Sequence, residues 1–443
     1  MSREPHEVLT TTVGTDASDL ATGDAGLATL RWVYPENQVT VLASATVVLG
    51  RDPTAATRLD TAQVSRRHAE VRLEGRERVV HDLDSKNGVF VNGERTHSAP
   101  LKAGDVLRLG DCVAVLEVVA PDALSGFGEL APDLYGGATL RSIVKLAKRA
   151  ATAGLNVVLE GETGTGKERF ARALHGFSGR KGPFLAVNCA AYSASTISAE
   201  LFGYRKGAFT GAERASSGHV RAAHGGTLLL DEVLDLPLEL QAKLLRVIEQ
   251  KEVLPLGESE PLAVDVSFVA ATQIPLAEAV QLGRFRADLR ARLEGFVLRI
   301  PPLRARRADI VPLFLALLAR HGLKSARLKP ALVERLCLYD WPLNVRELEN
   351  VARRLMAVHE GDGELRLEEL ASSLEPLNAP DAPPPSSSSV SAPARRSAPP
   401  YSVSELDALK AALERHGGNL THAAHELGIT RPKAYRMLNR TKP

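Results

Sequence analysis

The sequence predicts a multidomain protein with an all-β sandwich, an α/β domain that ends in a helical lid, and a small all-α domain. Residues 28–119 contain eight short β-rich segments separated by glycine, asparagine, aspartate and proline turns, a spacing typical of a sandwich. Residues 155–175 form an apolar segment, a glycine-rich turn and the start of a helix. A proline- and serine-rich stretch, Glu375–Pro400, then precedes a final segment with helical periodicity.

These patterns divide the chain into seven segments, of which the first is a disordered tail rich in threonine, alanine, glycine and aspartate. The predicted bounds are 1–27 for the tail, 28–119 for the sandwich, 120–133 for a linker, 134–300 for the α/β subdomain, 301–372 for the helical lid, 373–402 for the proline- and serine-rich linker, and 403–443 for the all-α domain.

The composition is ordinary for a globular protein, with 44% hydrophobic and 24% charged residues. The net charge is only +2, so nucleic-acid binding requires a local basic patch. Cys112, Cys189 and Cys337 lack metal-ligand spacing, which favours reduced thiols over a disulfide or zinc site. No apolar run approaches the ~18 residues of a membrane span, and the first residues lack a signal-peptide pattern. We therefore expect a cytoplasmic protein without membrane contact.

Polar loop motifs punctuate the predicted sandwich. Arginine, serine and asparagine side chains at one end of a rigid sandwich can hold a phosphate and the peptide attached to it. The motifs are Gly50-Arg51, Ser65-Arg66-Arg67-His68, Asn87-Gly88 and Asn92-Gly93. Together they resemble the forkhead-associated (FHA) domain, a reader of phosphothreonine peptides. The resemblance implies that His68 stabilises a loop from inside the fold, and that the phosphopeptide contacts are Arg51, Ser65, Arg66, Arg67 and Asn87.

The N-terminal tail offers candidate ligands for such a domain at Thr10, Thr11, Thr12 and Thr15. We hypothesise that a Ser/Thr kinase phosphorylates one of these threonines, which then binds the FHA domain of the same or a neighbouring chain. The alternatives are an unmodified tail and a phosphothreonine on another protein.

The glycine-rich turn has the spacing of a P-loop, whose backbone amides cradle phosphates at a helix N-terminus. The lysine of the motif, Lys167, reaches the β- and γ-phosphates of a nucleotide. The predicted ATP-binding residues of this turn are Gly161, Glu162, Thr163, Gly164, Thr165, Gly166, Lys167 and Glu168. Glu168 stands where a P-loop has serine or threonine, so Mg2+ must be held mainly elsewhere.

A second motif, the segment GGTLLLDE at residues 225–232, is an apolar strand that ends in two carboxylates. Asp231 is the candidate Mg2+ ligand, and Glu232 can orient or deprotonate an attacking water. Gly225 and Gly226, at the start of the segment, are also predicted to bind ATP.

Residues 134–372 resemble the AAA+ domain of bacterial enhancer-binding proteins, the activators of sigma-54 RNA polymerase. The blocks ELFGYRKGAFTGA and FRADL carry this resemblance more specifically than the P-loop does. It implies an ATPase ring, usually hexameric, in which Arg286 and Arg292 reach the γ-phosphate bound by a neighbouring subunit. It also implies that Asn188 holds Glu232 until nucleotide is seated, that Thr272 contacts the nucleotide site and that Arg346 is the lid sensor.

Three positions depart from the family pattern: Gln273 replaces an asparagine, Leu343 replaces a glycine, and Arg290 stands where an aromatic residue is common. The resemblance further implies a mobile loop that contacts sigma-54 through a small, aromatic-tipped segment. Its predicted contact residues are Gly207, Ala208, Phe209, Thr210, Gly211 and Ala212.

The final segment is similar to the Fis-type helix-turn-helix module of many enhancer-binding proteins. From Tyr401 onward it holds seven Lys/Arg and four Asp/Glu, a local excess of positive charge. A dimer is expected to bind double-stranded DNA at an upstream site. The predicted DNA contacts are Thr430, Arg431, Lys433 and Arg436.

The sequence therefore predicts a phosphothreonine-regulated activator that hydrolyses ATP to open sigma-54 promoters. One alternative is a DNA-bound repressor or co-regulator whose AAA+ core serves mainly to oligomerise. Another is an FHA scaffold that recruits kinase substrates, although this leaves the helix-turn-helix unexplained.

Overall fold

The computed structural model describes residues 26–121, 124–209, 212–323, 326–359 and 364–365, with positions 412, 415–416 and 426–427. The chain separates into two compact units, residues 1–378 and 379–443. Several predicted features lie outside the described residues: the tail to residue 25, Thr210, Gly211, Thr430, Arg431, Lys433 and Arg436.

The first domain is a sandwich of two sheets, as predicted. The sheets have the strand orders β2-β1-β11-β10-β7-β8 and β4-β3-β5-β6-β9. Apolar side chains from both sheets, among them Trp32, Leu49 and Leu107, fill the core between them. The strands are β1 Leu27–Tyr34, β2 Gln38–Val41, β3 Thr46–Gly50, β4 Thr57–Arg58, β5 Ala69–Glu74, β6 Glu77–Asp82, β7 Val89–Val91, β8 Glu94–Thr96, β9 Ser98–Leu101, β10 Val106–Leu109 and β11 Cys112–Val119.

The second domain is built around a parallel five-stranded sheet of order β15-β16-β19-β14-β20. Helices cover the sheet, so the strands are nearly continuous apolar runs. Its elements are β12 Gly128–Ala131, β13 Leu134–Gly136, α1 Ala138–Thr152, β14 Val157–Glu160, α2 Lys167–Ser178, β15 Phe184–Asn188, α3 Ala194–Phe202, α4 Gly218–Ala222, β16 Thr227–Asp231, α5 Leu238–Gln250, β17 Glu252–Val253, β18 Leu262–Ala263, β19 Ser267–Thr272, α6 Leu276–Gln281, α7 Ala287–Leu293 and β20 Phe296–Arg299.

A helical lid follows the parallel sheet and begins with a 3-10 segment, Leu303–Asp309. Trp341 is fully buried in the lid, and its indole Nε1 donates to the Leu336 carbonyl over 2.9 Å. None of the helices in the described ranges has the length and apolar character needed to cross a membrane. The remaining elements are α8 Ile310–Arg320, β21 Arg327–Leu328, α9 Pro330–Leu338, α10 Asn344–Val358 and β22 Glu364–Leu365.

The sandwich shares a hydrophobic core with the lid. Val33, Val106, Val113 and Val115 of the sandwich belong to the same buried cluster as the apolar side chains of α8, α9 and α10. Polar contacts fix this interface at its edge, because Arg108 Nε donates to a lid carboxylate over 3.0 Å. The sandwich is therefore packed on the lid and is not a loosely tethered module.

A buried polar layer connects the lid to the P-loop. Arg306 and Asp309 are 3% and 4% exposed, and their charged groups lie 3.7 Å apart. Burial raises the pKa of Asp309 to about 6, although the charge of Arg306 opposes this effect. Arg306 also donates to the Thr165 carbonyl over 3.3 Å, so the lid's buried charge contacts the phosphate-binding turn directly.

Candidate functional site

The P-loop joins the carboxyl end of β14 to the first residue of α2. Gly164 and Gly166 have φ values of +77° and +102°, which favour glycine. A Cβ added at Gly164 would lie 2.1 Å from the Leu343 carbonyl oxygen, so the lid also requires glycine there. The turn thus folds around the N-terminus of a twelve-residue helix, where backbone N–H groups favour anions.

Lys167 lies inside this turn. Its Nζ donates to the Gly161 carbonyl over 2.7 Å and to the Glu162 carbonyl over 3.3 Å. Burial lowers the pKa of Lys167, while the carboxylates of Glu232 and Asp231 act in the opposite direction. A bound phosphate would replace the carbonyl partners with a charged acceptor.

A cleft of about 320 Å³ brings together residues from the P-loop, the ends of β15 and β16, and the lid. Most of the predicted nucleotide-binding residues therefore meet in one place, including Arg346 from α10. The lining residues are Thr163, Gly164, Gly166, Lys167, Glu168, Arg169, Asn188, Asp231, Glu232, Val345, Arg346 and Glu349.

The two acidic residues at the end of β16 are electrostatically coupled. Burial raises the pKa of Asp231, and the charge of Glu232 raises it further. Glu232 has the left-handed φ of +51°, a strained conformation for this residue type, and its backbone N–H donates to Asp231 Oδ1 over 3.1 Å. Buried carboxylate oxygens beside a phosphate site fit Mg2+, whose charge would relieve their repulsion. Within the described ranges, no cluster of three His, Cys, Asp or Glu residues forms a separate metal site.

The partner of Glu232 differs from the prediction. Glu232 Oε1 accepts a hydrogen bond from Gln273 Nε2 over 2.9 Å. Asn188 lines the cleft, but its Oδ1 accepts from the backbone N–H of Ala190 over 2.9 Å. Thr272 is fully buried at the end of β19 and its hydroxyl donates to the Ile274 carbonyl, so its side chain does not line the cleft.

The prediction that Gly225 and Gly226 bind ATP was wrong. They precede β16 and lie at its amino end, whereas the P-loop lies at the carboxyl ends of the parallel strands. Five residues of strand separate them from Glu232, roughly 16 Å at about 3.3 Å per residue. Gly226 is required by packing, because an added Cβ would lie 2.0 Å from the Pro183 carbonyl oxygen.

A second cleft, of about 370 Å³, was missed by the sequence analysis. It lies between the β12–β13 hairpin, the P-loop and α8, and it shares Gly166, Arg169 and Val345 with the first cleft. Its walls come from four separated segments, and the apolar side chains among them resemble ordinary core positions in the sequence. The other lining residues are Asp133, Leu134, Tyr135, Leu140, Thr165, Arg306, Leu313, Ala316, Leu317 and Arg320.

Side chains of the lid also hold the P-loop. Arg304 donates to both carboxylate oxygens of Glu162 over 2.6 and 2.8 Å, and this pairing lowers the pKa of Glu162. Asn344 Nδ2 donates to the Thr163 carbonyl over 3.0 Å. Leu343 has a φ of −102°, so the residue that replaces the family's glycine adopts an ordinary conformation.

Arg286 and Arg292 lie outside the cleft of their own chain. Their side chains are 42% and 59% exposed. Arg286 forms a bidentate pair with Asp288 over 2.7 and 3.0 Å, and Arg292 Nε donates to Glu249 over 2.8 Å. Both guanidinium groups are therefore partly exposed at the surface, each paired with a carboxylate of its own chain.

The aromatic-tipped loop projects from the segment after α3. Phe209 is 46% exposed and its ring centroid lies 5.0 Å from that of Tyr204. Backbone hydrogen bonds of 2.9 and 3.0 Å, Gly207 N to Ala212 O and Ala212 N to Phe209 O, close the loop. Ala208 precedes the tip, and Thr210 and Gly211, which complete it, lie beyond the described residues.

The predicted phosphopeptide residues come together at one end of the sandwich. Arg51, Arg66 and Arg67 are exposed. Ser65 Oγ accepts from the Lys86 backbone N–H over 3.2 Å, which joins two of the loops. Asn87 Nδ2 donates to Gln63, 2.6 Å to the carbonyl and 2.9 Å to the side chain.

His68 connects these loops from inside, as the sequence implies. It is buried, its Nδ1 accepts from the Ser65 backbone N–H over 3.1 Å, and its Nε2 donates to the Gly88 carbonyl over 3.1 Å. Burial lowers the pKa of His68, consistent with this neutral tautomer. Gly50 lets the end of β3 lie against the backbone of Arg66, because an added Cβ would lie 2.1 Å from the Arg66 carbonyl oxygen.

Four family models match successive parts of the chain. They are the FHA domain at residues 47–110, the sigma-54 interaction domain at 135–299, the AAA+ ATPase lid domain at 304–386 and the bacterial regulatory protein, Fis family, at 403–437.

Similar curated proteins are transcriptional regulators. The transcriptional regulatory protein ZraR of Klebsiella oxytoca is 41% identical over 68% of this chain and 66% of its own length. The sigma54-dependent transcriptional activator SfnR of Pseudomonas putida is 46% identical over 48% of this chain and 60% of its own. The regulatory protein LuxO of Vibrio cholerae is 38% identical over 68% of this chain and 67% of its own. The chain thus spans about two thirds or less of the length of these relatives.

A solved structure agrees with these matches. The crystal structure of NtrX from Brucella abortus has a TM-score of 0.50 and 29% identity, covering 68% of this chain and 67% of that one. The chain belongs to the family of sigma-54-dependent transcriptional regulators.

Proposed function

We propose that this protein is a cytoplasmic activator that binds upstream DNA, assembles into a ring and hydrolyses ATP to remodel the closed complex of sigma-54 RNA polymerase. The observation that carries the proposal is one cleft in which Lys167, Asp231 and Glu232 meet, in the same domain as a loop with an exposed Phe209.

ATP would occupy both clefts. Its phosphates bind the N-terminus of α2 and Lys167, and Arg346 of the lid lines the same cleft. Asp231 would hold Mg2+, which neutralises charge on the β- and γ-phosphates. The adenosine half fits the second cleft, where Leu134 and Leu317 supply apolar surface.

Hydrolysis needs a base and a group that stabilises charge on the transferred phosphoryl. Glu232 accepts a proton from the attacking water, which displaces ADP from the γ-phosphorus. Arg286 and Arg292 of a neighbouring subunit stabilise the developing charge, which explains why both are exposed in their own chain. The active site is therefore complete only between two subunits.

The loop of residues 207–212 is the proposed contact with sigma-54. An exposed aromatic side chain among small residues suits transient docking, and glycine permits movement. DNA binding is assigned to the Fis-type module, through Thr430, Arg431, Lys433 and Arg436.

Promoter opening by the purified protein tests this function. With sigma-54 RNA polymerase and a promoter that carries the upstream site, we expect single-stranded DNA to form with ATP and not with a non-hydrolysable analogue. Permanganate reactivity of the exposed thymines measures the opening. An ATPase that forms a ring on the DNA but never opens the promoter, with or without phosphopeptide, would favour the repressor or co-regulator alternative.

Phosphothreonine recognition is a separate prediction. Arg51→Ala should weaken binding of a phosphothreonine peptide by about 10-fold or more, because a charge-assisted bond to phosphate contributes about 1.5–3 kcal/mol. Peptides around Thr10, Thr11, Thr12 and Thr15 are the first probes for calorimetry.

Arg76→Ala is the matched control for this measurement. Arg76 is exposed in the turn after β5, at the opposite end of that strand from the SRRH loop. The prediction fails if phosphorylated and unphosphorylated peptides bind alike, or if Arg51→Ala and Arg76→Ala have equal effects.

A further inference from the structure

We propose that Arg31 and Glu117, two residues of the FHA sandwich, are positioning residues for the nucleotide site and act on the P-loop through the buried charges of the lid. Neither side chain lines either cleft, so an effect on ATP must pass through other residues. This inference rests on the proposed ATPase function and goes beyond it, because it makes the sandwich a part of the structure that binds ATP.

Alternation along β1 and β11 places this pair on the face of the sandwich that meets the lid. Leu30 and Trp32 of β1 point into the core of the sandwich, whereas Val115 of β11 belongs to the cluster shared with the lid. Arg31 pairs in register with Val115, and Glu117 lies two residues further along β11. Because successive side chains of a strand point to opposite faces, Arg31 and Glu117 share the side that faces the lid.

The pair is buried in this interface. The side chains of Arg31 and Glu117 are 1% and 14% exposed, and Arg31 Nε donates to Glu117 Oε2 over 2.7 Å. The two terminal nitrogens of Arg31 are also buried, and they have no hydrogen-bond partner among the described residues. A buried charge destabilises a fold unless opposite charges and hydrogen bonds compensate it. An apolar side chain would fill a purely packing position at lower free energy, so Arg31 indicates a further electrostatic partner across the interface.

That partner is the buried ion pair of the lid. Strands β1 and β11 lie directly against the 3-10 segment that carries Arg306 and Asp309. Burial raises the pKa of Asp309 to about 6, while the charge of Arg306 lowers it, that of Glu117 raises it and that of Arg31 lowers it. The four side chains therefore form one charge cluster, in which the attraction of two arginines for Asp309 opposes the repulsion from Glu117.

The lid half of this charge cluster holds two parts of the nucleotide site. Arg306 Nη2 donates to the Thr165 carbonyl over 3.3 Å, and both residues line the second cleft. Asp309 Oδ1 accepts from the backbone N–H of Gly137 over 2.8 Å, at the start of α1. Without the charge of Arg31, Arg306 would be the one cation of the cluster and would face two carboxylates. It would be drawn toward them and away from the P-loop.

Equilibrium binding of a fluorescent non-hydrolysable ATP analogue to the full-length protein tests this role through a double-mutant cycle. Arg31→Met removes the positive charge but keeps a long side chain, and it should weaken binding by about 2- to 30-fold, as side chains between distant sites do. Glu117→Gln leaves Arg31 free to compete with Arg306 for Asp309, so it should weaken binding in the same range. The double variant leaves Arg306 facing Asp309 alone in a neutral cluster, and it should recover most of the affinity.

Arg108→Met is the matched control. Arg108 also joins the sandwich to the lid, because its Nε donates to Glu334 of α9 over 3.0 Å. No residue of α9, which is described throughout, lines either cleft. This variant should lower the midpoint of thermal unfolding but keep the wild-type affinity for the analogue. In the cycle variants the KM for ATP should follow the analogue affinity with little change in kcat, because ground-state binding is what they alter.

The outcomes distinguish this inference from the function on which it rests. Wild type that binds no nucleotide would overturn the proposed ATPase and this role with it. Wild type that binds the analogue, together with cycle variants of equal affinity, would overturn the role of Arg31 and Glu117 alone. Equal weakening in Arg31→Met and Arg108→Met, or a double variant weaker than both single variants, would mean that the sandwich only supports the fold of the lid. If Arg31→Met does not fold, Glu117→Gln and the double variant decide the same question.

Discussion

Replacing Glu232 by glutamine is expected to lower kcat for ATP hydrolysis by about 100- to 10,000-fold, the range in which a positioned general base contributes. The substitution keeps the side chain's size but removes its ability to take a proton from water. ATP affinity should be retained, because Lys167 and the N-terminus of α2 are untouched. Phosphate release measures the rate of hydrolysis, and binding of a non-hydrolysable ATP analogue to the same preparations measures the affinity.

Glu278→Gln provides the control for this substitution. Glu278 is an exposed residue in the first turn of α6 and does not line the cleft. Wild-type hydrolysis by Glu232→Gln would place the base elsewhere, and a parallel loss of ATP binding would mean that Glu232 acts mainly in holding the nucleotide.

Removing either of the two arginines that we propose to act in the neighbouring subunit's site should have the largest effect. Arg292→Ala or Arg286→Ala is expected to lower hydrolysis by about 10³- to 10⁵-fold, as for other arginines that stabilise phosphoryl transfer. The local cost to stability should be small, because the pairs with Glu249 and Asp288 are exposed and solvent screens the attraction in exposed ion pairs. The midpoint of thermal unfolding, recorded for the same variants, should be unchanged if the substitutions cost little stability.

Mixing two inactive variants tests whether the arginine acts between subunits. Arg292→Ala subunits have an intact Lys167, and Lys167→Ala subunits have an intact Arg292, so mixed rings should recover part of the activity. The control mixes Lys167→Ala subunits with Glu232→Gln subunits. Both substitutions damage the part of the site that each subunit supplies to its own nucleotide, so every site in a mixed ring stays damaged and no recovery is expected. If the first mixture stays inactive under conditions where rings form, Arg292 does not act across the interface.

The local parts of the site were predictable because they depend on short stretches of chain. The P-loop around Lys167 and the acidic end of β16 each follow from a strand, a turn and the chemistry of phosphate and Mg2+. Gly225 and Gly226 were misassigned because proximity in sequence to Asp231 is not proximity in space when a five-residue strand separates them. Their glycine requirement comes from packing against Pro183 instead.

Features that depend on distant segments could not be predicted. Gln273 looked like a departure from the family pattern, and its contact with Glu232 exists only because two strands are neighbours. The packing of the sandwich on the lid was also hidden. Val33 and Val113 stand among consecutive apolar residues of β1 and β11, which indicates burial on both faces of these strands but does not identify the lid as the second cover.

The measurement that tests the central claim most directly is transcription from a sigma-54 promoter in a purified system, comparing wild type with Phe209→Ala and recording ATP turnover in parallel. Leu73→Ala, which removes an exposed apolar side chain from the sandwich, is the control. We expect Phe209→Ala to hydrolyse ATP but to lose activation, while Leu73→Ala keeps both, because we propose that the exposed ring couples ATP hydrolysis to sigma-54. Full activation by Phe209→Ala would contradict the account of this loop, and an ATP-hydrolysing wild type that never activates would contradict the proposed function.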